Sequence, residues 1–257
     1  MSRNFTDLTG KVAVVIGGTS GLGRAIALGF ADAGADVIAT SRSFESIVPV
    51  AEAISALGRR TLVQAVDATK REEILKLRER IRGEFGDISI LVNSAGRTIK
   101  KPSAELSDQE WDSLLDTNLG GVLKACQVFY SDLKTTGGNI INVASLASFV
   151  AFHQVAAYTA SKSAVMGLTR SLACEWAKDG IRVNALVPGV FPTELNQKLL
   201  DGTPRGTEIL MRTPMGRFGR IDEIVGAAVF LASDAASFVT GHGLAVDGGY
   251  LASGVNS

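Results

Sequence analysis

Disulfide frameworks, metal clusters and membrane spans find little support in this 257-residue chain, which has two cysteines, two histidines and no long apolar run. Cys126 and Cys174 each sit inside an apolar helical pattern, so no disulfide scaffold is expected and a reducing compartment fits. His153 and His242 lie far apart in sequence without a ligand cluster, and no metal is expected. No stretch reaches the ~18 apolar residues of a membrane span, and Met1 to Lys11 has no apolar core of signal-peptide length. A soluble, cytoplasmic, unprocessed protein is the expectation. Net charge is absent too, with 26 basic residues against 26 acidic ones. Without a field of one sign, nucleic acid and membrane are not expected as partners, and a small-molecule ligand is. Repeats and low-complexity segments are missing, and no linker divides the chain. What is present is 46% hydrophobic residues, enough for a large core in a single domain over 1–257.

Short β-branched runs alternate with helical patterns along the chain. Val12–Ile16 reads as a central parallel strand buried on both faces. Gly17, Gly21 and Gly23 follow it in a Gly-x-x-x-Gly-x-Gly loop that opens a helix from Arg24. Strand, glycine turn and helix in that order make a phosphate cradle, because glycines admit close backbone approach and a helix N-terminus presents free N–H groups. A second strand, Asp36–Thr40, completes a β-α-β unit and ends in Ser41-Arg42-Ser43, with no carboxylate. An acid there would bind ribose hydroxyls and a basic residue a 2′-phosphate, so NADP(H) is favoured over NAD(H). The spacing predicts further strands over 61–66, 88–92, 139–144, 181–187 and 243–249, and an apolar helix over 222–233. Thr69 with Glu72, and Ser107 with Glu110, have the spacing of capping boxes. Asp67, at a strand's carboxyl end, is placed either to meet an adenine or to accept from loop N–H groups. Between Phe191 and Phe218 the pattern weakens, with Pro192, Pro204, Gly206 and Pro214 breaking any long element. Such a segment reads as a substrate-covering one. The whole predicts an α/β fold, a Rossmann-type doubly wound parallel sheet.

Tyr158 and Lys162 are four apart on a predicted helix, hence on one face a turn apart. A phenol ionises near ~10, and an ammonium within roughly 4–6 Å lowers that value toward neutrality. Asn118 is out of place in the apolar series Leu114, Leu115, Val122, Phe129 and must find a partner in backbone or water.

Taken together, the Gly17, Gly21, Gly23 loop, Asn93-Ser94-Ala95-Gly96, Asn118, Ser145, Tyr158 with Lys162, Pro188-Gly189 and Asp247-Gly248-Gly249 resemble the short-chain dehydrogenase/reductase superfamily from Lys11 to Tyr250. Two departures are small: Ile16 stands where threonine is usual, and Ser94 where asparagine is. The resemblance implies that Tyr158 is the catalytic acid/base, that Lys162 lowers its pKa and binds the nicotinamide ribose, and that Ser145 polarises the substrate oxygen. Asn118 would support a water leading to Lys162. It also implies that Gly17, Ser20, Gly21, Leu22 and Gly23 contact the phosphates, Ser41 and Arg42 the 2′-phosphate, and Asp67 and Ala68 the adenine. Asn93, Ala95 and Gly96 would line the middle of the cofactor, and Pro188, Gly189, Phe191 and Thr193 its nicotinamide end. By family analogy the protein is a homo-oligomer, a tetramer.

Residues 96–102 and 247–256 are similar to sugar-acid dehydrogenases of the gluconate 5-dehydrogenase type. The expected reaction is therefore interconversion of a secondary alcohol and a ketone on a polyol or sugar acid. Arg97, Lys100, Lys101, His153 and Gln154 are candidates for binding it, or else solvated loop groups. Two other readings stay open: a 3-oxoacyl thioester reductase that docks an acidic carrier protein, and a cofactor-binding sensor without turnover.

Overall fold

A computed structural model describes residues 4–193, 197, 200 and 202–254. Six parallel strands form one sheet in the order β2-β1-β3-β4-β5-β6, with β1 at Val12–Ile16, β2 at Asp36–Thr40, β3 at Ile90–Asn93, β4 at Asn139–Val143, β5 at Arg182–Pro188 and β6 at Gly243–Val246. The chain starts one strand in from the edge, runs outward to β2, then returns past β1 to add the other four strands. This reversal between β1 and β3 opens a crevice at the strands' carboxyl ends, where ligands bind in such sheets.

The unbroken apolar runs of the strands have a simple cause. Val12, Val14 and Ile16 of β1 enter one core, while Ala13 and Val15 enter the other, so neither face of the pleat meets water. The first core is closed by α3 (Arg71–Phe85), α5 (Gly121–Thr136) and α6 (Ala156–Trp176), through residues such as Leu77, Phe129 and Leu172. The second is closed by α1 (Gly21–Asp32), α2 (Phe44–Ala56) and α8 (Val225–Ala232), through Ile26, Phe30, Ile54 and Leu231. Among the described residues no helix is long and apolar enough to cross a membrane.

Four expectations need correction. Residues 61–66 run beside β2 without forming a ladder strand; the contacts are Val37 N–H to Arg60 O, Val66 N–H to Ser41 O, and the Thr40 hydroxyl to Gln64 O. Thr69 does not cap α3: Lys70 is the N-cap, Thr69 donates instead to the Asp67 carboxylate, and Glu73 rather than Glu72 reaches back, to the Asp67 N–H. An aspartate two residues upstream offers the Thr69 hydroxyl a tighter local partner than the helix does. Pro204 does not break the segment after Phe191. It sits in the first turn of a nine-residue helix, α7 (Pro204–Arg212), where a missing N–H costs nothing, and Thr203 caps it by accepting from Gly206 N–H. The apolar run from Asp222 begins as a tight 3-10 turn over Ile221–Ile224 before becoming α8. The Ser107–Glu110 capping box forms as its spacing requires, opening α4 (Asp108–Leu115).

Candidate active site

Between α4 and α5 the helical run widens into one π turn, Asp116–Gly120, and Asn118 lies inside it, fully buried. A π turn frees side chains from the regular ladder and re-aims them. Asn118 uses its whole amide: Oδ1 accepts from Arg97 N–H at 2.9 Å, while Nδ2 donates to Arg97 O at 2.9 Å and to the Ser161 hydroxyl at 3.1 Å. It thereby fastens the turn after β3 to α6. The buried amide thus binds backbone, one of its two expected partners, and a side-chain hydroxyl besides.

The helix α6 carries Tyr158 in its first turn and Lys162 one turn later. Lys162 is buried, donates to Val143 O at 2.7 Å, and lies 5.8 Å from the centre of the Tyr158 ring. Burial pulls its pKa from 10.5 down to about 8. Burial also acts on the phenol, pushing Tyr158 above its ordinary value of 10, while a hydrogen bond with Ser145 works in the other direction. The expected lowering of the Tyr158 pKa is thus reversed in this structure: withdrawal from water outweighs the contacts that favour the phenolate. Ser145 stands at the end of β4, its hydroxyl also accepting from Ala147 N–H at 3.1 Å. One hydroxyl array, Ser145 and Tyr158, is backed by one buried cation. It can hold an oxygen atom and pass it a proton.

The glycine loop abuts this group. A Cβ on Gly17 would stand 2.5 Å from Ala95 N, and one on Gly23 would stand 2.1 Å from Gly17 O. Side chains there would force loop and β3 turn apart. Ser20, the N-cap of α1, makes no side-chain capping bond, and the first turn of α1 holds no acidic residue. Its N–H groups are therefore available to an anion, as a pyrophosphate cradle requires. Leu22 lies in this first turn, and Gly21 approaches Thr193, whose Cγ2 would be 3.6 Å from a Cβ there. Gly96 is close to both Asn118 Oδ1 and Lys162 Nζ, each 3.5 Å from where its Cβ would be. The residues fit an extended dinucleotide along the strand ends.

Several sequence candidates already have partners within the protein. Ser41 bonds within its own turn, to Ser46 and Ser43, and Ser46 leads on to Thr19 of the glycine loop. Arg42 is exposed, and with Lys70 and the two Thr69 hydrogen bonds it holds the Asp67 carboxyl below its ordinary value against the effect of burial. Asp67 accepts from one loop N–H, that of Thr69, and from the Thr69 hydroxyl, the second of its two alternatives; Ala68 is buried against Gly121. Asn93 is buried, donating to Asn142. Phe191 sits in the second core with its ring against Gly219, so its side chain is a packing group. At the end of β5, Pro188 precedes Gly189, which packs on Asp247.

Among the cations after β3, Lys101 is paired with Glu110, whose carboxyl is held down to about 2 by the Ser107 N–H bond and Lys101. Arg97 donates to the Ser113 hydroxyl, and Lys100 is exposed. His153 is exposed, while Gln154 accepts from Lys101 N–H and is the one non-glycine residue with a positive φ, 64°, among those described. Sequence reasoning missed three groups. Ser161, buried beside Tyr158, carries a polar signal in the pattern; the stack of Phe152 on Tyr250 and the approach of Arg205 to Phe152 carry none.

The profile of a family described as Enoyl-(Acyl carrier protein) reductase matches residues 16–251. A 2-dehydro-3-deoxy-D-gluconate 5-dehydrogenase of Escherichia coli (strain K12) is 44% identical over 250 residues, 96% of this chain and 97% of that protein. The chain belongs to the short-chain dehydrogenase/reductase family. A D-threitol dehydrogenase of Mycolicibacterium smegmatis is similar as well, 44% identical over 95% of this chain and 94% of that one. Among solved structures, a gluconate 5-dehydrogenase from Burkholderia cenocepacia J2315 in complex with NADP and tartrate superposes with a TM-score of 0.93 at 35% identity, covering 97% of this chain and 98% of that one. This short-chain dehydrogenase/reductase is an NAD(P)-dependent enzyme acting on CH–OH groups.

Proposed function

We propose that the enzyme interconverts a secondary alcohol and a ketone on a polyol or sugar acid, with NADP(H) as preferred cofactor. The observation that carries this reading is the convergence of Ser145 and Tyr158 on one side of buried Lys162, with Asn118 fixing the turn beside it. Bound nicotinamide supplies or accepts the hydride. Tyr158 gives its proton to the ketone oxygen in reduction and takes it back in oxidation. Ser145 donates to the same oxygen and holds it against the phenol. Lys162 binds the nicotinamide ribose and exchanges a proton with Tyr158, while Asn118 keeps the water route to Lys162 in shape.

Gly17, Ser20, Gly21, Leu22 and Gly23 hold the phosphates. Ser41 and Arg42 face the 2′-phosphate, Asp67 and Ala68 the adenine, Asn93, Ala95 and Gly96 the central sugars, and Pro188, Gly189, Phe191 and Thr193 the nicotinamide end, the last two through their backbone. The absence of a carboxylate at Ser41-Arg42-Ser43 and the NADP in the Burkholderia relative support the phosphorylated cofactor. On the substrate side, Arg97, His153 and Gln154 form the rim, and the described parts of the segment near 191–218 are its cover, residues 194–196, 198–199 and 201 lying outside the described residues. Family analogy supports a cytoplasmic homotetramer that pairs the helices carrying Asn118 and Tyr158.

The test is turnover with NADP+ and NADPH across aldonic acids, alditols, their keto forms and an acetoacetyl thioester. Oxidation of an aldonate or alditol above the thioester rate is expected. Preference for the thioester would replace the reading with a 3-oxoacyl reductase, and cofactor binding without any turnover would replace it with a sensor.

A further inference from the structure

Among the described residues Arg205 is a cation without an anion. It lies in the first turn of α7, after the Thr203 cap, and is half-buried. Among the described carboxylates, Glu208 pairs with Arg212, Glu223 with Arg217 and Arg220, and Asp247 accepts from Gly249 and Leu251 N–H. Among the described residues none pairs with Arg205. Its sign is also wrong for its place, because the first turn of a helix favours negative charge. The guanidinium is held instead over Phe152, with Cζ 6.0 Å from the ring centre, and Phe152 in turn stacks on Tyr250 at 6.1 Å and 25°.

These contacts locate Arg205 on the substrate side of the crevice. Phe152 belongs to the loop joining Ser145 to Tyr158, directly before His153 and Gln154. Tyr250 adjoins Leu251, which packs on the cluster of Ala144, Met166, Ala185 and Val187, and Ala144 is the neighbour of Ser145. α7 is itself firmly seated, since Ile209 is buried and Gly206 lies so close to Leu200 O that a Cβ would be 1.9 Å away. An arginine resting on an aromatic face keeps its N–H edge free, and that edge matches a carboxylate in two parallel bonds. The helix N-terminus adds attraction for the same charge. Lys101 is neutralised by Glu110 and Arg97 is turned to Ser113, so neither offers an equivalent group.

We propose that Arg205 recognises the carboxylate of an acidic substrate, an aldonate or keto-aldonate, while Ser145 and Tyr158 hold its reacting oxygen. The inference rests on the sugar-acid reading above and adds the residue that selects acid over neutral polyol. It is tested with the full-length enzyme and NADP+, using gluconate and its neutral counterpart sorbitol. Arg205→Gln is expected to lower kcat/KM for gluconate about 10- to 100-fold, the range of a charge-assisted hydrogen-bond pair, through KM rather than kcat. Sorbitol kinetics should stay within about threefold, and Arg205→Lys should recover part of the gluconate KM. A melting temperature equal to that of the parent separates this effect from misfolding. Equal losses on both substrates, or an unchanged gluconate KM in a parent that oxidises gluconate, would overturn the assignment while leaving the sugar-acid reading intact. A parent that oxidises sorbitol and no acid would overturn the Arg205 assignment and leave the polyol side of the reading standing, and a parent that oxidises neither would overturn both.

Discussion

Asn118 holds Arg97 by both ends of its peptide unit, accepting from the N–H and donating to the carbonyl, each at 2.9 Å. No other side chain of similar size can do both. Asn118→Ala should therefore leave two backbone groups without their partner and cost about 1–3 kcal/mol of stability, read by urea denaturation. The turn carrying Gly96 would shift against Lys162, so kcat should fall as well. An Asn118→Ala enzyme with parental stability and turnover would show that the clamp is dispensable.

Burial sets the proton chemistry of Tyr158. With its pKa above 10, the phenol is protonated at neutral pH and is poised as a donor. Ketone reduction should then be flat through neutrality and decline only as the phenol ionises, whereas alcohol oxidation, which needs the phenolate, should climb as pH rises above neutral. Tyr158→Phe should remove both limbs and reduce turnover by roughly 10²–10⁴-fold with cofactor affinity retained. The check is a pair of kcat/KM profiles with cofactor titration by fluorescence; parental rates in the phenylalanine variant would end the assignment.

Arg42 is exposed at the end of β2 with no carboxylate beside it in sequence. If it meets a 2′-phosphate, Arg42→Ala should raise the Kd of NADPH about 10-fold or more, as loss of a charged hydrogen bond does, and leave NADH nearly unchanged. Calorimetric titration with both cofactors decides this. Equal loss for the two would mean that Arg42 acts on something they share.

Gln154 adopts φ of 64°, a conformation that costs a residue with a Cβ about 1–2 kcal/mol. Gln154→Gly should keep or raise thermal stability, by up to about 1 kcal/mol after glycine's entropy loss is counted. If its side chain binds substrate, the same variant should raise KM. A drop in stability would show that the side chain, not the backbone, anchors the loop before Tyr158.

The strands, the helices and the chemistry of the site follow from local features of the chain. Runs such as Val12–Ile16 can only be buried on both sides, the glycines of 17–23 permit an approach that side chains forbid, and Tyr158 and Lys162 share a helix face by spacing alone. Three matters belong to the tertiary structure. The edge segment 61–66 has strand-like sequence, yet its pairing depends on how the end of β2 lies beside it. The direction of the Tyr158 shift depends on how much water is excluded, which spacing does not contain. Arg205, Phe152 and Tyr250 are separated by about fifty residues each in the chain and are adjacent only because α7 and the tail after β6 return to the loop beyond Ser145. Periodicity and residue type are short-range properties, and they fix elements and reactive groups. Which distant groups share a crevice, and which are shielded from water, is set by the packing of the whole chain.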